Sequence, residues 1–422
     1  MMYHDLFFAW RYTMKQASLI FYNGEGIEKN VSEIFERYLQ SNSIFKDKSV
    51  LYHSYFPERI LHRDYELMQL SSILAPAIKG YKPSNIFVYG GVGTGKTVCV
   101  RQVLTQLENV AKKHDAKLIK IIYLNCKMKK TADTEYRVLS QILESFNIKV
   151  PETGLPTEIL YKKFFEEVDK KDQTIIIVLD EIDALVRKIG DEFLYNITRA
   201  DLEQARISLI GITNSLTFSN SLDIRVKSSL GEEEILFKPY NAMQLKDILM
   251  QRAELAFYKI SEEVIAKCAA IAAQEHGDAR RAIDLLRVAG EIAERVGASE
   301  IKEEHVDMAE EKISVDCVLE AIKSLPKQSQ AVLHSILKLT ENKNSVMTGE
   351  IIIKYRELCR KNGLRILTQR RISDILNELE TFGIIEAKVI SKGRYGRTRE
   401  IELSIPKEIL DHVKRNIYAN FK

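Results

Sequence analysis

Long apolar runs are missing from this sequence: none approaches the roughly 20 residues a helix needs to cross a bilayer, although 45% of its 422 residues are hydrophobic. The opening MMYHDLFFAWRYTMKQ lacks the basic-then-apolar order of a secretory signal, so an intracellular location and no membrane partner are expected. Cysteine is sparse. The five cysteines, at 99, 126, 268, 317 and 359, are scattered, odd in number and form no C-x-x-C pair. That excludes a disulfide frame and leaves them as small buried apolar side chains. The eight histidines show no H-E-x-x-H or other ligand spacing, so no zinc site is expected. Net charge is also small, +3 overall.

That small sum hides an asymmetry. From Glu320 to Lys422 there are 20 Lys and Arg against 12 Asp and Glu, a surplus of +8, so a polyanion is expected to dock at that end. The length and the 29% charged content describe an ordinary folded protein of two or three domains.

The strongest local signal runs from Ser84 to Val103, SNIFVYGGVGTGKTVCVRQV. A strand-like segment, Asn85 to Tyr89, enters the loop Gly90-Gly91-Val92-Gly93-Thr94-Gly95-Lys96-Thr97 and continues past Val98 with helical apolar spacing. This is G-x-x-x-x-G-K-S/T in the strand, loop, helix order that the pattern requires. Glycines let successive N–H groups turn inward on an anion, and the following helix adds its positive end. Lys96 is expected on the β and γ phosphates and the Thr97 hydroxyl on Mg2+, so ATP or ADP with Mg2+ is the expected ligand.

Other strands are expected over Leu118 to Asn125, Thr174 to Leu179, Ile207 to Ile212 and Glu234 to Phe237. Helices are expected over Val31 to Gln40, Ile60 to Lys79, Thr134 to Phe146 and Ile159 to Val168. Strands alternating with helices around a phosphate loop predict a parallel α/β sheet with its chemistry at the strands' carboxyl ends. TIIIVL, Thr174 to Leu179, has the continuous apolar character of a central strand and ends in Asp180-Glu181-Ile182-Asp183. From Ala242 to about Ile313 only helices are expected, the last of them over Lys302 to Lys312.

Beyond 317, helical stretches Val332 to Leu339, Gly349 to Asn362 and Leu367 to Phe382 precede two β segments, Ile384 to Ile390 and Arg399 to Leu403. Joined through SKGRYGRT, they form an expected hairpin. Helices followed by a basic glycine-containing hairpin are what a winged helix-turn-helix requires. Arg365, Thr368, Gln369, Arg370, Arg371 and Ser373 fall at the start of the expected recognition helix. Arg and Gln suit base edges, and Thr suits the backbone. Lys392, Arg394, Tyr395, Arg397 and Arg399 on the hairpin suit the sugar-phosphate backbone or minor groove. Lys127, Lys129, Lys130 and Arg137 form a further basic cluster, which reads either as a DNA contact or as a solvated face.

In this order, phosphate loop, acidic strand end, strand-end asparagine, helical segment and basic winged helix resemble the archaeal replication-initiator family. Its members are related to the largest subunit of the eukaryotic origin recognition complex and to that complex's helicase-loading partner. YGGVGTGKT, VLDEIDAL, GITNS, LDIRVKSSL, GDARRAIDLLR and GRYGRTREIEL carry the likeness, which covers the chain from about Phe56 to the end of the hairpin.

The resemblance implies an AAA+ core with an N-terminal extension over 1–241, a helical lid over 242–313 and a winged-helix DNA-binding domain over 317–422. Asp180 would hold Mg2+ through its water shell and Glu181 would polarise the attacking water, with Asp183 structural. Asn214 matches the family's first sensor. Arg225 matches an arginine finger reaching a neighbouring subunit's nucleotide, and Arg280 matches the second sensor, with Arg281 as its competitor. Tyr55 to Arg59 and Pro239-Tyr240 would line the adenine pocket. The implied function is an ATP-dependent replication initiator with slow hydrolysis, cytoplasmic and nucleoid-associated. Its implied partners are double-stranded origin DNA, the replicative hexameric helicase and other initiator subunits. Another ATPase switch, or a transcription regulator that keeps ADP as a structural ligand, would share the loop.

Overall fold

The computed structural model describes residues 43–114, 118–127, 134–151, 154–230, 233–341, 343–391, 397–405 and 407–421. The helix expected over Val31 to Gln40 lies outside them. The chain divides into two compact units, Met1–Val306 and Asp307–Lys422.

In the first unit β1 (Ile86–Gly90), β2 (Leu118–Asn125), β3 (Gln173–Asp180), β4 (Arg206–Thr213) and β5 (Glu233–Phe237) form one parallel sheet in the order β2-β3-β4-β1-β5. Every residue of β3 is buried, as a strand covered on both faces requires. Its side chains alternate between two cores. Ile175, Ile177 and Leu179 pack with Leu139, Ile142, Leu160 and Phe164 of α3 (Glu135–Glu144) and α4 (Thr157–Val168). Ile176 and Val178 pack with Leu70, Leu74, Val100 and Leu104 of α1 (Asp64–Leu74) and α2 (Lys96–Lys113).

The helix expected over Ile60 to Lys79 is shorter than its apolar spacing suggested. It starts at Asp64 and gives way to a 3-10 turn over Ala75–Lys79 with Pro76 in its first positions, because proline supplies no N–H for a continuing α-helical bond. Short helices α5 (Ile182–Ile189), α6 (Glu192–Thr198) and α7 (Ile224–Leu230) follow the strand ends.

The helical segment consists of α8 (Ala242–Ala256), α9 (Glu262–Glu275) and α10 (Ala279–Arg295), each opened by a side-chain cap. Asn241 and Gln244 form a reciprocal capping box, and Ser261 and Asp278 cap the other two. Such caps satisfy N–H groups that a helix start leaves unpaired. The helix expected over Lys302 to Lys312 continues as α11 (Glu303–Ser324) and carries the chain into the second unit.

That unit contains α12 (Lys327–Leu339), β6 (Ser345–Met347), α13 (Thr348–Lys361), α14 (Gln369–Thr381), β7 (Ile385–Ser391), β8 (Arg397–Leu403) and α15 (Lys407–Ala419). The hairpin pairs Ile385 with Leu403 and Val389 with Arg399, and β6 adds a third strand beside β8. Ile372, Ile375, Leu376 and Leu379 give α14 its buried face.

Candidate functional site

The strand order places β4 between β3 and β1, so the phosphate loop after β1 and the acids after β3 flank the end of β4. Asp180 lies across from Ile212, and Tyr89 across from Thr213. Asn214, two residues past Ile212, therefore leaves the sheet between the loop and the acids, with its side chain exposed.

The loop is held by its own polar groups. The Lys96 Nζ donates to the carbonyls of Gly90 at 2.8 Å and Gly91 at 2.6 Å, and the Thr94 hydroxyl donates to Gly91 at 2.9 Å. Burial pulls the Lys96 ammonium down to about 8, opposed by Asp180 and Asp278 and reinforced by Arg280 and Arg63. A phosphate brought against it would restore the charged form. Gly95 caps α2 with φ 91°. Val92 is exposed, while Thr97 and Val98 are half-buried.

The helical segment meets this loop at the start of α10. The Ala279 N–H donates to the Gly93 carbonyl at 3.2 Å. Gly93 has φ 67°, and a Cβ there would fall 1.5 Å from the Asp278 Oδ1. No other residue combines that backbone with that clearance.

The Thr97 hydroxyl donates to the Asp180 Oδ2 at 3.0 Å, and Asp180 is buried. A hydroxyl and a carboxylate side by side are the hard oxygen donors that suit a phosphate-bound Mg2+. The Tyr123 hydroxyl donates to the same Oδ2. Burial, and then the Asp180 charge, raise the Tyr123 phenol. Glu181 adopts a left-handed backbone, φ 57° and ψ 47°, a region non-glycine residues seldom occupy and one found at functional sites. Its carboxylate meets the Lys127 Nζ at 3.4 Å, so this lysine of the basic cluster lies beside the acid. Arg137 is exposed on α3, and Lys129 and Lys130 lie outside the described residues. Asp183 accepts from the Thr213 hydroxyl at 2.9 Å and from Arg187 at 2.7 Å.

Arg280 and Arg281 differ sharply. Arg281 forms two bonds with Glu275, at 2.8 and 2.9 Å, whereas Arg280 is exposed and its charge is felt at Lys96. Arg225 is 71% exposed on α7, 3.1 Å from Asp223 and over the Tyr195 ring.

Arg63 belongs to no motif. It is 4% exposed. Its guanidinium donates to the Thr94 carbonyl at 3.0 Å, to Glu66 at 2.9 Å and to the Lys238 carbonyl at 2.5 Å. It also stacks 3.9 Å from the Tyr240 ring. Tyr240, expected at the adenine, is buried against this arginine, with its hydroxyl 2.8 Å from where a Gly95 Cβ would lie. Arg59 is exposed, and its carbonyl accepts from Gln251 at 3.1 Å. An arginine opening an apolar helix gives no sequence sign of burial, so nothing in HRDYEL marked this one.

In the second unit Gln369, Arg370 and Arg371 are exposed at the start of α14 and Ser373 is half-buried. Thr368 is the helix cap, its hydroxyl accepting from the Arg371 N–H at 3.4 Å. Arg371 lies 3.7 Å from Asp374, and Arg365 is exposed just before the helix. Arg399 on β8 donates to Asn377 of α14, which ties hairpin to helix. Lys392, Arg394 and Tyr395 lie outside the described residues, as does the side chain of Arg397.

Comparison with known proteins bears on the family and the fold. Residues 79–217 match the family described as AAA domain, 246–311 the Cdc6 AAA+ ATPase-type lid domain, and 320–413 the CDC6 C-terminal winged helix domain. An ORC1-type DNA replication protein of Pyrococcus abyssi is 52% identical over 94% of this chain and 96% of its own length. One from Thermococcus kodakarensis is 50% identical over 92% and 94%. The structure of the Aeropyrum pernix ORC1 protein in complex with DNA has a TM-score of 0.78 and 45% identity, covering 89% of this chain and 97% of that one. With at least half of its residues identical to these relatives over more than nine-tenths of its length, the chain belongs to the family of ORC1-type DNA replication proteins.

Proposed function

We propose that this replication initiator is a nucleotide-controlled switch. It holds ATP and Mg2+ at the phosphate loop, hydrolyses ATP slowly and binds double-stranded origin DNA through its winged helix. In that state it helps to recruit or load the replicative hexameric helicase, as a cytoplasmic, nucleoid-associated protein. The observation that carries the reading is the bond from the Ala279 N–H at the start of α10 to the Gly93 carbonyl of the phosphate loop. Any anion that reshapes the loop must act on the helical segment, which is how a local charge change biases a two-state element.

Lys96 and Arg280 would meet the phosphates, Thr97 and Asp180 would hold Mg2+, and Glu181 with Asn214 would orient water. The exposed Arg225 suits a neighbour's nucleotide, for which it must leave Asp223. The relative solved with DNA and the exposed Arg370 and Arg371 on α14 support the DNA reading.

Footprinting of wild type, Arg370→Ala and Arg365→Ala on genomic origin fragments tests it. At matched salt, protection should be stronger than on unrelated duplex and weaker in both variants. Equal binding to both duplexes would refute origin recognition. Turnover should be lost in Lys96→Ala and Glu181→Gln; unchanged rates would remove both from the mechanism.

A further inference from the structure

We infer that Tyr123 is a positioning residue for the carboxylate that holds the metal, and that it controls how readily Mg2+ joins a bound nucleotide. The inference rests on the assignment of Thr97 and Asp180 to that metal. Tyr123 lies on β2 opposite Val178, two residues before Asp180 on the neighbouring strand. Its side chain runs along the strands, and its hydroxyl donates to the Asp180 Oδ2.

The same oxygen accepts from Thr97 at 3.0 Å. Among the described residues both side-chain hydrogen bonds of Asp180 thus fall on Oδ2, so Oδ1 would be the oxygen left to serve the metal. The Tyr123 ring is held in turn by Arg101, whose guanidinium carbon lies 4.3 Å from the ring centroid. Arg101 is on α2, the helix that also carries Thr97. A phenol anchored to α2 by its face and to Asp180 by its hydroxyl fixes the carboxylate plane relative to Thr97.

Without that hydroxyl the carboxylate keeps one donor and turns more freely, since its terminal torsion has broad minima. Phenylalanine fills nearly the same volume, so packing alone does not explain a hydroxyl at this position. Groups that hydrogen-bond to metal-holding carboxylates set the ligand's orientation and basicity.

The test is the binding of a fluorescent, slowly hydrolysed ATP analogue to the full chain, first in EDTA and then against increasing MgCl2. Tyr123→Phe should bind the analogue in EDTA like wild type. It should need roughly 10- to 100-fold more Mg2+ for half-maximal tightening, the usual cost of losing a group behind a metal ligand. Asp180→Asn, the control for the metal itself, should lose the Mg2+ effect.

If Asp180→Asn loses the effect while Tyr123→Phe follows the wild-type curve, the role of Tyr123 is overturned and the metal assignment stands. If wild type itself shows no Mg2+ effect, or Asp180→Asn keeps it, the assignment fails and takes the proposal with it. Should Tyr123→Phe not fold, Arg101→Gln, which frees the ring, carries the same test. An unshifted curve for it overturns the proposal.

Discussion

Gly93→Ala is the sharpest perturbation this structure offers, because two independent penalties meet at one atom. The φ of 67° places alanine in the left-handed region, at ~1–2 kcal/mol. Its Cβ would also lie 1.5 Å from the Asp278 Oδ1, about half the closest approach that real Cβ atoms make. Asp278 must then swing away and stop capping α10, a loss of ~1 kcal/mol. The bond from Ala279 to the Gly93 carbonyl is strained in the same movement, at another ~1 kcal/mol.

The combined cost of about 3 kcal/mol corresponds to on the order of 100-fold faster amide exchange in the 277–285 segment, if that segment opens locally. Exchange followed by mass spectrometry measures it. A cycle with Asp278→Gly then separates the penalties, since glycine is tolerated at a cap at a few tenths of a kcal/mol. In that background only the backbone strain remains, so Gly93→Ala should speed exchange by roughly 10-fold. An equal effect of Gly93→Ala in both backgrounds would show that Asp278 does not rest on the loop, and would refute the coupling between loop and helical segment.

Arg63→Ala should weaken nucleotide binding by about 10-fold or more, because it frees the Thr94 and Lys238 carbonyls together, and Arg63→Lys should not restore it, since an ammonium lacks the planar fork; equilibrium binding of labelled ADP decides. Arg280→Ala should slow ATP turnover by on the order of 100-fold, whereas Arg281→Ala, which releases Glu275, should leave steady-state turnover near wild type. The His334 pKa is lowered by burial and then by Lys338 and Lys354, against Glu341, and among the described residues its buried Nδ1 has no hydrogen-bond partner. Its ring lies 4.9 Å from Tyr418 and 5.5 Å from Phe421. With the folded value below the unfolded one, its contribution is present above the unfolded pKa of about 6.5 and is lost as pH falls through the folded value. Protection factors for amide exchange across 407–421, taken against the intrinsic rate at each pH, should therefore fall between pH 7 and pH 5, and should lose that dependence in His334→Phe.

What could be read from the sequence, and what could not, follows the distance over which each residue finds its partners. β2 was expected over Leu118 to Asn125 and has those bounds, because a segment carrying three isoleucines and a tyrosine within eight residues declares itself without help. Three-residue β6 carries no period to detect and exists only because β8 accepts it as an edge. The phosphate loop is local in the same sense: its glycines, lysine and threonine act through neighbours a few positions away. Asp180 and Asn214 were legible for a related reason, since the residue that ends a strand, or the one just past it, must stand at the sheet's carboxyl edge whatever the rest of the chain does.

Arg63, Tyr123, Lys127 and Asp278 were not legible as parts of this site. Arg63 meets a carbonyl 175 residues away, and Tyr123 meets a carboxylate 57 residues away. Lys127 read as a basic patch because its partner, Glu181, lies across the strand ends. Asp278 read as part of a sensor phrase because its proximity to Gly93 exists only once the helical segment has docked. The phosphate loop is thus built by local neighbours, whereas the contacts from Gly93 to the helical segment and from Asp180 to Tyr123 are assembled by tertiary contact. Control of the proposed switch is therefore expected to be more sensitive than nucleotide binding itself to substitutions outside the recognisable motifs.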